Sequence, residues 1–303
     1  METLNTGKTI MTTKTARCLA GAAMAALLWV PIAAAEADGT LAMLRIGMVA
    51  HPAAGDRIDG AAMIEKAFSE ATGLPTQIFV ARDYAALIDA QSRGRIDYGV
   101  YSATAYATAR LACDCLEPIA APIGADGTTG MRAVLIERKD RSGEAGVIAT
   151  VPGDVTHWLE AARSASEADS ERFVEAANAS EAEALFVSGE ASGIIGWMPV
   201  RTASTPEGGT LSRLVEAGIS PDELEVVWES EPLRFGPHAV RSDMPGAIRN
   251  ALVLFLAGLH DTQPDVFQHL EPTRQGGFVR VSDRDYAVAK AMVTRLSEIE
   301  EAR

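Results

Sequence analysis

Apolar positions along this chain recur at strand spacing and at helix spacing by turns, and the order of the two defines most of its elements. Leu44–Val49 is a short apolar run bounded by His51, Pro52 and Gly55, the pattern of a buried strand that ends in a loop. Ala61, Ile64, Ala67, Phe68 and Ala71 then repeat at helical spacing over Gly60–Thr72, and Gly73 with Pro75 stops them. Gln77–Val80 reads as a strand. Tyr84, Leu87, Ile88 and Gln91 share one helix face, Gly94 closes that helix, and Ile96–Val100 is the next strand. This β-α-β succession predicts a parallel sheet covered by helices. A polar cluster, Tyr101, Ser102, Thr104 and Tyr106, falls where that strand ends and a new helix begins. Open α/β sheets bind ligands in the crevice beyond such strand ends, so this stretch is a candidate recognition loop.

Further on, Pro118–Pro122 and the turn-rich Gly124–Gly130 lead into a strand at Met131–Glu137, and Val147–Ala149 reads as another. Pro152, Gly153 and Asp154 make a turn before a helix over about 155–164, with Asp154 suited to cap it. A helix ending at Gly189 precedes a strand at Gly193–Trp197. Gly208–Gly218 and Ser220–Asp222 read as a loop-rich passage to a strand at Leu224–Trp228. Gly246–His260 carries Ile248, Leu252, Phe255, Leu256 and Leu259 on one side, an amphipathic helix. Gly277–Val281 and Asp283–Tyr286 precede a last helix.

Composition narrows the possibilities. With 48% hydrophobic and 22% charged residues, 303 residues can form two cored lobes. Lys8, Lys14 and Arg17, an apolar run from Cys18 to Ala34, and small residues at Ala33–Ala35 have the layout of a secretory signal over 1–35, with cleavage after Ala35 or Ala37. The rival reading is an uncleaved membrane anchor, which Pro31 and the Ala-rich end disfavour. A net charge of −14 argues against nucleic-acid or anionic-membrane partners, which need clustered Lys and Arg. Cys113 and Cys115 are read as a local disulfide or two free thiols, without metal ligands beside them. Phosphate-loop, dinucleotide, His-Glu-x-x-His and serine-elbow motifs are missing, so no catalytic residue, metal site or cofactor is expected.

Two stretches carry a family resemblance. Tyr84-x-x-Leu87-Ile88-x-Ala90, then Gly94-x-Ile96-Asp97, a strand and a Ser/Ala/Tyr turn form one, and residues 229–245 form the other. Together they resemble the periplasmic phosphonate-, phosphite- and phosphate-binding proteins of ABC importers, over about residues 44–299. The resemblance implies a two-lobe type II periplasmic binding protein of α/β class, with mixed sheets, two hinge crossings and a central ligand cleft. Lobe 1 would comprise 41–137 and 237–303 and lobe 2 138–236, with crossings near 136–140 and 230–237.

The same resemblance implies that Tyr84 and Tyr106 face a ligand; the alternative is that both are packing residues. In the family a Ser-Thr-Ser-Gly run at a helix start holds phosphoryl oxygens. Here Val155-Thr156-His157-Trp158 stands in that place, a family histidine has no match, and Ser192 replaces an aspartate. The expected contacts are therefore Tyr84, Tyr101, Ser102 and Tyr106 from lobe 1, facing Thr156, His157 and Trp197. Trp197 reads equally as core, and His51, in the first strand-to-helix loop, as a surface residue.

The function implied is an exported receptor that captures a small molecule, a phosphonate, phosphate or related oxyanion, for an ABC permease in the inner membrane. A ligand-sensing protein partnering a membrane sensor kinase is the second reading, and an enzyme on the same scaffold the third.

Overall fold

The computed structural model describes residues 41–50, 57–140, 146–151, 173–200 and 208–301. The first sheet starts with β1 (Leu44–Val49), which leads to α1 (Ala61–Thr72) and β2 (Thr76–Ala81). Gly73 ends α1 in the left-handed region at φ 72°, where its N–H reaches the Ser69 carbonyl at 2.9 Å. Asp83 caps α2 (Tyr84–Ser92) by accepting the Ala86 N–H at 2.7 Å. Then come β3 (Tyr98–Val100), α3 (Ala103–Cys113) and β4 (Leu116–Pro122).

The second sheet is built from β5 (Gly130–Arg138), β6 (Ile148–Thr150), β7 (Phe173–Glu175), α4 (Ala179–Ser188), β8 (Gly193–Val200), α5 (Gly209–Glu216), β9 (Leu224–Glu229) and β10 (Leu233–Arg234). The chain returns to the first sheet through β11 (His238–Arg241), α6 (Gly246–Thr262), α7 (Pro264–Leu270), β12 (Phe278–Arg280), a 3-10 turn at Asp283–Tyr286 and α8 (Ala287–Glu301).

Sheet one runs β12-β4-β11-β3-β1-β2, with β1, β2 and β3 parallel and β11 antiparallel to both its neighbours. Sheet two runs β10-β5-β8-β6-β7, and β9 also pairs with β5. The mixed α/β architecture with two sheets is as the sequence implies.

Two details differ from expectation. The change of sheet occurs over 123–129, not near 136–140: β5 lies wholly in the second sheet, paired with β8 from Gly130 to Glu137. Its apolar residues Ala133–Ile136 would read the same in either sheet, and the turn-rich residues before it make the crossing. The passage after Gly208 contains a helix, α5, because Leu211, Leu214 and Val215 share a spacing that the flanking glycines obscure; Leu214 is buried. Cys113 and Cys115 are joined in a disulfide.

Two apolar clusters cover the faces of the first sheet. Phe68, Leu252, Leu256 and Phe267 pack on one side, and Leu87, Ala107, Tyr106 and Tyr286 on the other. Phe186, Ile194 and Leu214 anchor the second sheet. Asp97, the aspartate of the Gly-x-Ile-Asp motif, is buried and accepts from Arg45 Nε at 2.8 Å and Nη2 at 2.7 Å, which ties β1 to the entry of β3. Among the described residues no helix is long and apolar enough to cross a membrane.

Candidate functional site

The parallel strands of the first sheet deliver their C-terminal ends to one edge, and the candidate recognition loop follows β3 there. Ser102 caps α3, its Oγ accepting the Ala105 N–H at 3.1 Å and lying 3.3 Å from Thr104 Oγ1. Tyr101 is buried, donates its phenol to Gln91 Oε1 at 3.2 Å, and gives its backbone N–H to the Pro237 carbonyl at 3.1 Å. Tyr106 points into the helical layer: it is fully buried, donates to Asp283 Oδ1 at 2.9 Å and packs on Tyr286 with ring centroids 4.9 Å apart. Burial, reinforced for Tyr106 by Asp283, pushes both phenols well above their ordinary range, so both stay neutral donors. Tyr84 begins α2 and is 40% exposed.

The four residues expected from the first lobe therefore have different surroundings. Tyr84 is on the surface, Ser102 is half-buried at a helix start, and Tyr101 and Tyr106 are interior. Thr156 and His157 lie outside the described residues, as do His51 and the helix expected over 155–164.

Trp197 lies within β8 and lines a cleft whose other residues sequence reasoning did not single out. The cleft has a volume of about 280 Å³. Its walls are Met131, Trp197 and Pro199 of the second sheet, Asp126 and Thr128 of the outgoing crossing, Phe235 of the return crossing, and Thr273 and Arg274 between α7 and β12, with Gly208 beside them. Arg213 stacks on the Trp197 ring at 5.6 Å and donates to Glu183 Oε1 at 2.6 Å. Arg274 stacks on Phe235 at 4.2 Å.

A buried line of polar groups reaches the cleft from the core. Tyr98 Oη and His238 Nδ1 share a hydrogen bond, and His238 Nε2 lies 2.9 Å from Glu271 Oε1. With the phenol donating to Nδ1 and Nε2–H to the carboxylate, both ring nitrogens are satisfied. Glu271 Oε2 is 3.7 Å from Arg274 Nη1. The cleft residues come from segments far apart in sequence and follow no local motif; the only signals were the glycine cluster at 124–130 and the return segment near 230–237.

Two α/β sheets, two adjacent crossings and a cleft walled by both crossings and residues from each side define a two-lobe solute-binding protein. The model of the phosphonate-binding periplasmic substrate-binding proteins of ABC transporters matches residues 47–152 and 203–286, and the chain belongs to that family. In structure it is similar to XAC2383 from Xanthomonas citri, solved with chloride ion, with a TM-score of 0.56 at 14% identity over 85% of this chain and 99% of that one. The same protein bound to ATP gives a TM-score of 0.55 at 13% identity over 85% and 99%. PhnD1 from Prochlorococcus marinus, in complex with methylphosphonate, gives 0.49 at 13% identity over 84% of this chain and 98% of that one. No protein of curated function matches the chain in sequence.

The chain is thus a substrate-binding protein of the phosphonate family of ABC transport systems, a class that binds solutes and is not a class of enzymes. Its family implies a small-molecule ligand, a permease partner and a periplasmic location.

Proposed function

We propose that this protein is exported through its N-terminal leader, captures a small phosphonate-class oxyanion between its two sheets, and presents the closed form to an ABC permease. The observation that carries this reading is the family match, which spans segments of both sheets and both crossings. We take the first sheet (β12-β4-β11-β3-β1-β2) and the second (β10-β5-β8-β6-β7 with β9) as the cores of two lobes. Ligand contacts with both favour the closed arrangement over the open one, so recognition and closure share a cause. Tyr84 and Ser102 at the strand-end edge, and Trp197 opposite, supply candidate contacts.

The test is thermal unfolding of the protein from Glu36 onward with methylphosphonate, phosphite, phosphate, alkylsulfonates and amines. A saturable rise with a phosphonate or phosphite supports the reading through mass action, at about 2.7 kcal/mol for ligand at 100 times its Kd. A rise with amines alone, or with no anion, overturns it.

A further inference from the structure

We infer that Arg274 is the anion-recognising residue of the cleft at the crossings, and that the site takes organic oxyanions with an apolar or aromatic group in preference to bare inorganic ions. This rests on the receptor reading above and refines its ligand class.

Arg274 is the one cation among the described residues lining the cleft. On a chain of net charge −14, an anion is repelled at long range and needs a short-range donor. The guanidinium is held for that purpose from several sides. Its plane lies over the Phe235 ring, Nη1 donates to Thr273 Oγ1 at 2.9 Å, and Glu271 Oε2 approaches to 3.7 Å. Glu271 is itself buried and fixed by His238, so the arginine is pre-organised from the core outward and little ordering entropy is lost on binding.

These contacts do not use all five N–H donors of the guanidinium. The Nε is buried and has no acceptor among the described residues, whereas the side chain as a whole is 32% exposed, so the donors left for an incoming oxyanion are those of the outer Nη atoms. Asp126 also lines the cleft, and its Oδ1 accepts the Thr128 N–H at 2.9 Å.

The remaining walls select the rest of the molecule. Trp197, Phe235, Met131 and Pro199 contribute apolar side chains, which reward burial of carbon rather than hydrated oxygen. A space of about 280 Å³ suits a compact solute.

The experiment is titration calorimetry at pH 7 on the protein from Glu36 onward, with phenylphosphonate, methylphosphonate and inorganic phosphate as probes. Wild type, Arg274→Gln and Arg274→Lys are compared, with circular dichroism to establish folding. Phenylphosphonate is expected to bind wild type about tenfold or more tighter than inorganic phosphate. Arg274→Gln is expected to weaken both phosphonates by about 10- to 100-fold, and Arg274→Lys, which keeps the charge but loses the fork, by several-fold. If Arg274→Gln does not fold, Arg274→Lys decides. Binding by wild type with affinities unchanged in the folded variants overturns the role of Arg274 and leaves the receptor reading standing. Phosphate bound as tightly as phenylphosphonate overturns the preference for an organic group. No anion bound by wild type overturns the receptor's ligand class and this inference together.

Discussion

Gly236 has no room for a side chain. A Cβ there would sit 1.9 Å from the Tyr101 carbonyl oxygen and 2.7 Å from Ser102 Cα, so the return crossing lies directly on the candidate recognition loop. The obstacle is backbone, which cannot swing aside as a side chain end would. Gly236→Ala is therefore expected to cost about 1–3 kcal/mol and to weaken ligand binding by displacing Tyr101 and Ser102. Chemical denaturation and titration of the same variant check both effects, and a variant as stable as wild type would show that the crossing is not fixed against the loop. At this scale the sequence marked a position more readily than a role. Tyr101, Ser102 and Tyr106 do gather at the end of a strand, but whether a phenol faces a cleft or a helical layer depends on what packs over it. For Tyr106 that is Tyr286 and Asp283, which are distant in sequence.

The short turn Asp283–Tyr286 joins elements that the sequence presents as unrelated. Tyr286 donates to the Phe235 carbonyl at 2.9 Å, Asp285 lies 3.7 Å from Arg234, and Asp283 takes Tyr106 and, at 2.6 Å, Lys290. The return crossing is thereby tied to α3 and α8. Burial alone would raise the Asp283 carboxyl, but hydrogen bonds from Lys290 and Tyr106 and the charges of Lys290 and Arg110 outweigh it and hold the group below its ordinary 3.8. A depressed value means that its contribution to stability is complete above 3.8 and is lost as pH falls through the lower, folded value. The melting temperature of wild type should thus fall more steeply than that of Asp283→Asn between about pH 4 and pH 2; parallel profiles would show that this carboxyl is not what the turn depends on. Elements with local punctuation were legible: β1, α1 and α2 fall where glycine, proline and capping aspartate place them. α5 was hidden by the glycines at its start, and sheet membership of β5 was not encoded locally, since strand pairing is decided by distant partners.

For the whole molecule, acidity sets the approach of the ligand and leaves the local donors to hold it. If the ligand is an anion, screening should speed its arrival: the association rate is expected to rise by a factor of about 2–10 between roughly 0.01 and 0.15 M salt. Stopped-flow tryptophan fluorescence measures this, and a rate that falls with salt would point to a cationic ligand. The order of strands has a consequence for how such a protein is made. β3 and β4 are not paired with each other; β11 stands between them, and it follows the entire second sheet in the chain. β3 therefore keeps an open edge until residues 238–241 have been synthesised, and β4, whose other partner is β12 at 278–280, has neither of its partners before then. Connectivity thus delays closure of the first sheet, which would suit the export proposed above, since an unclosed chain can still be threaded through a narrow channel.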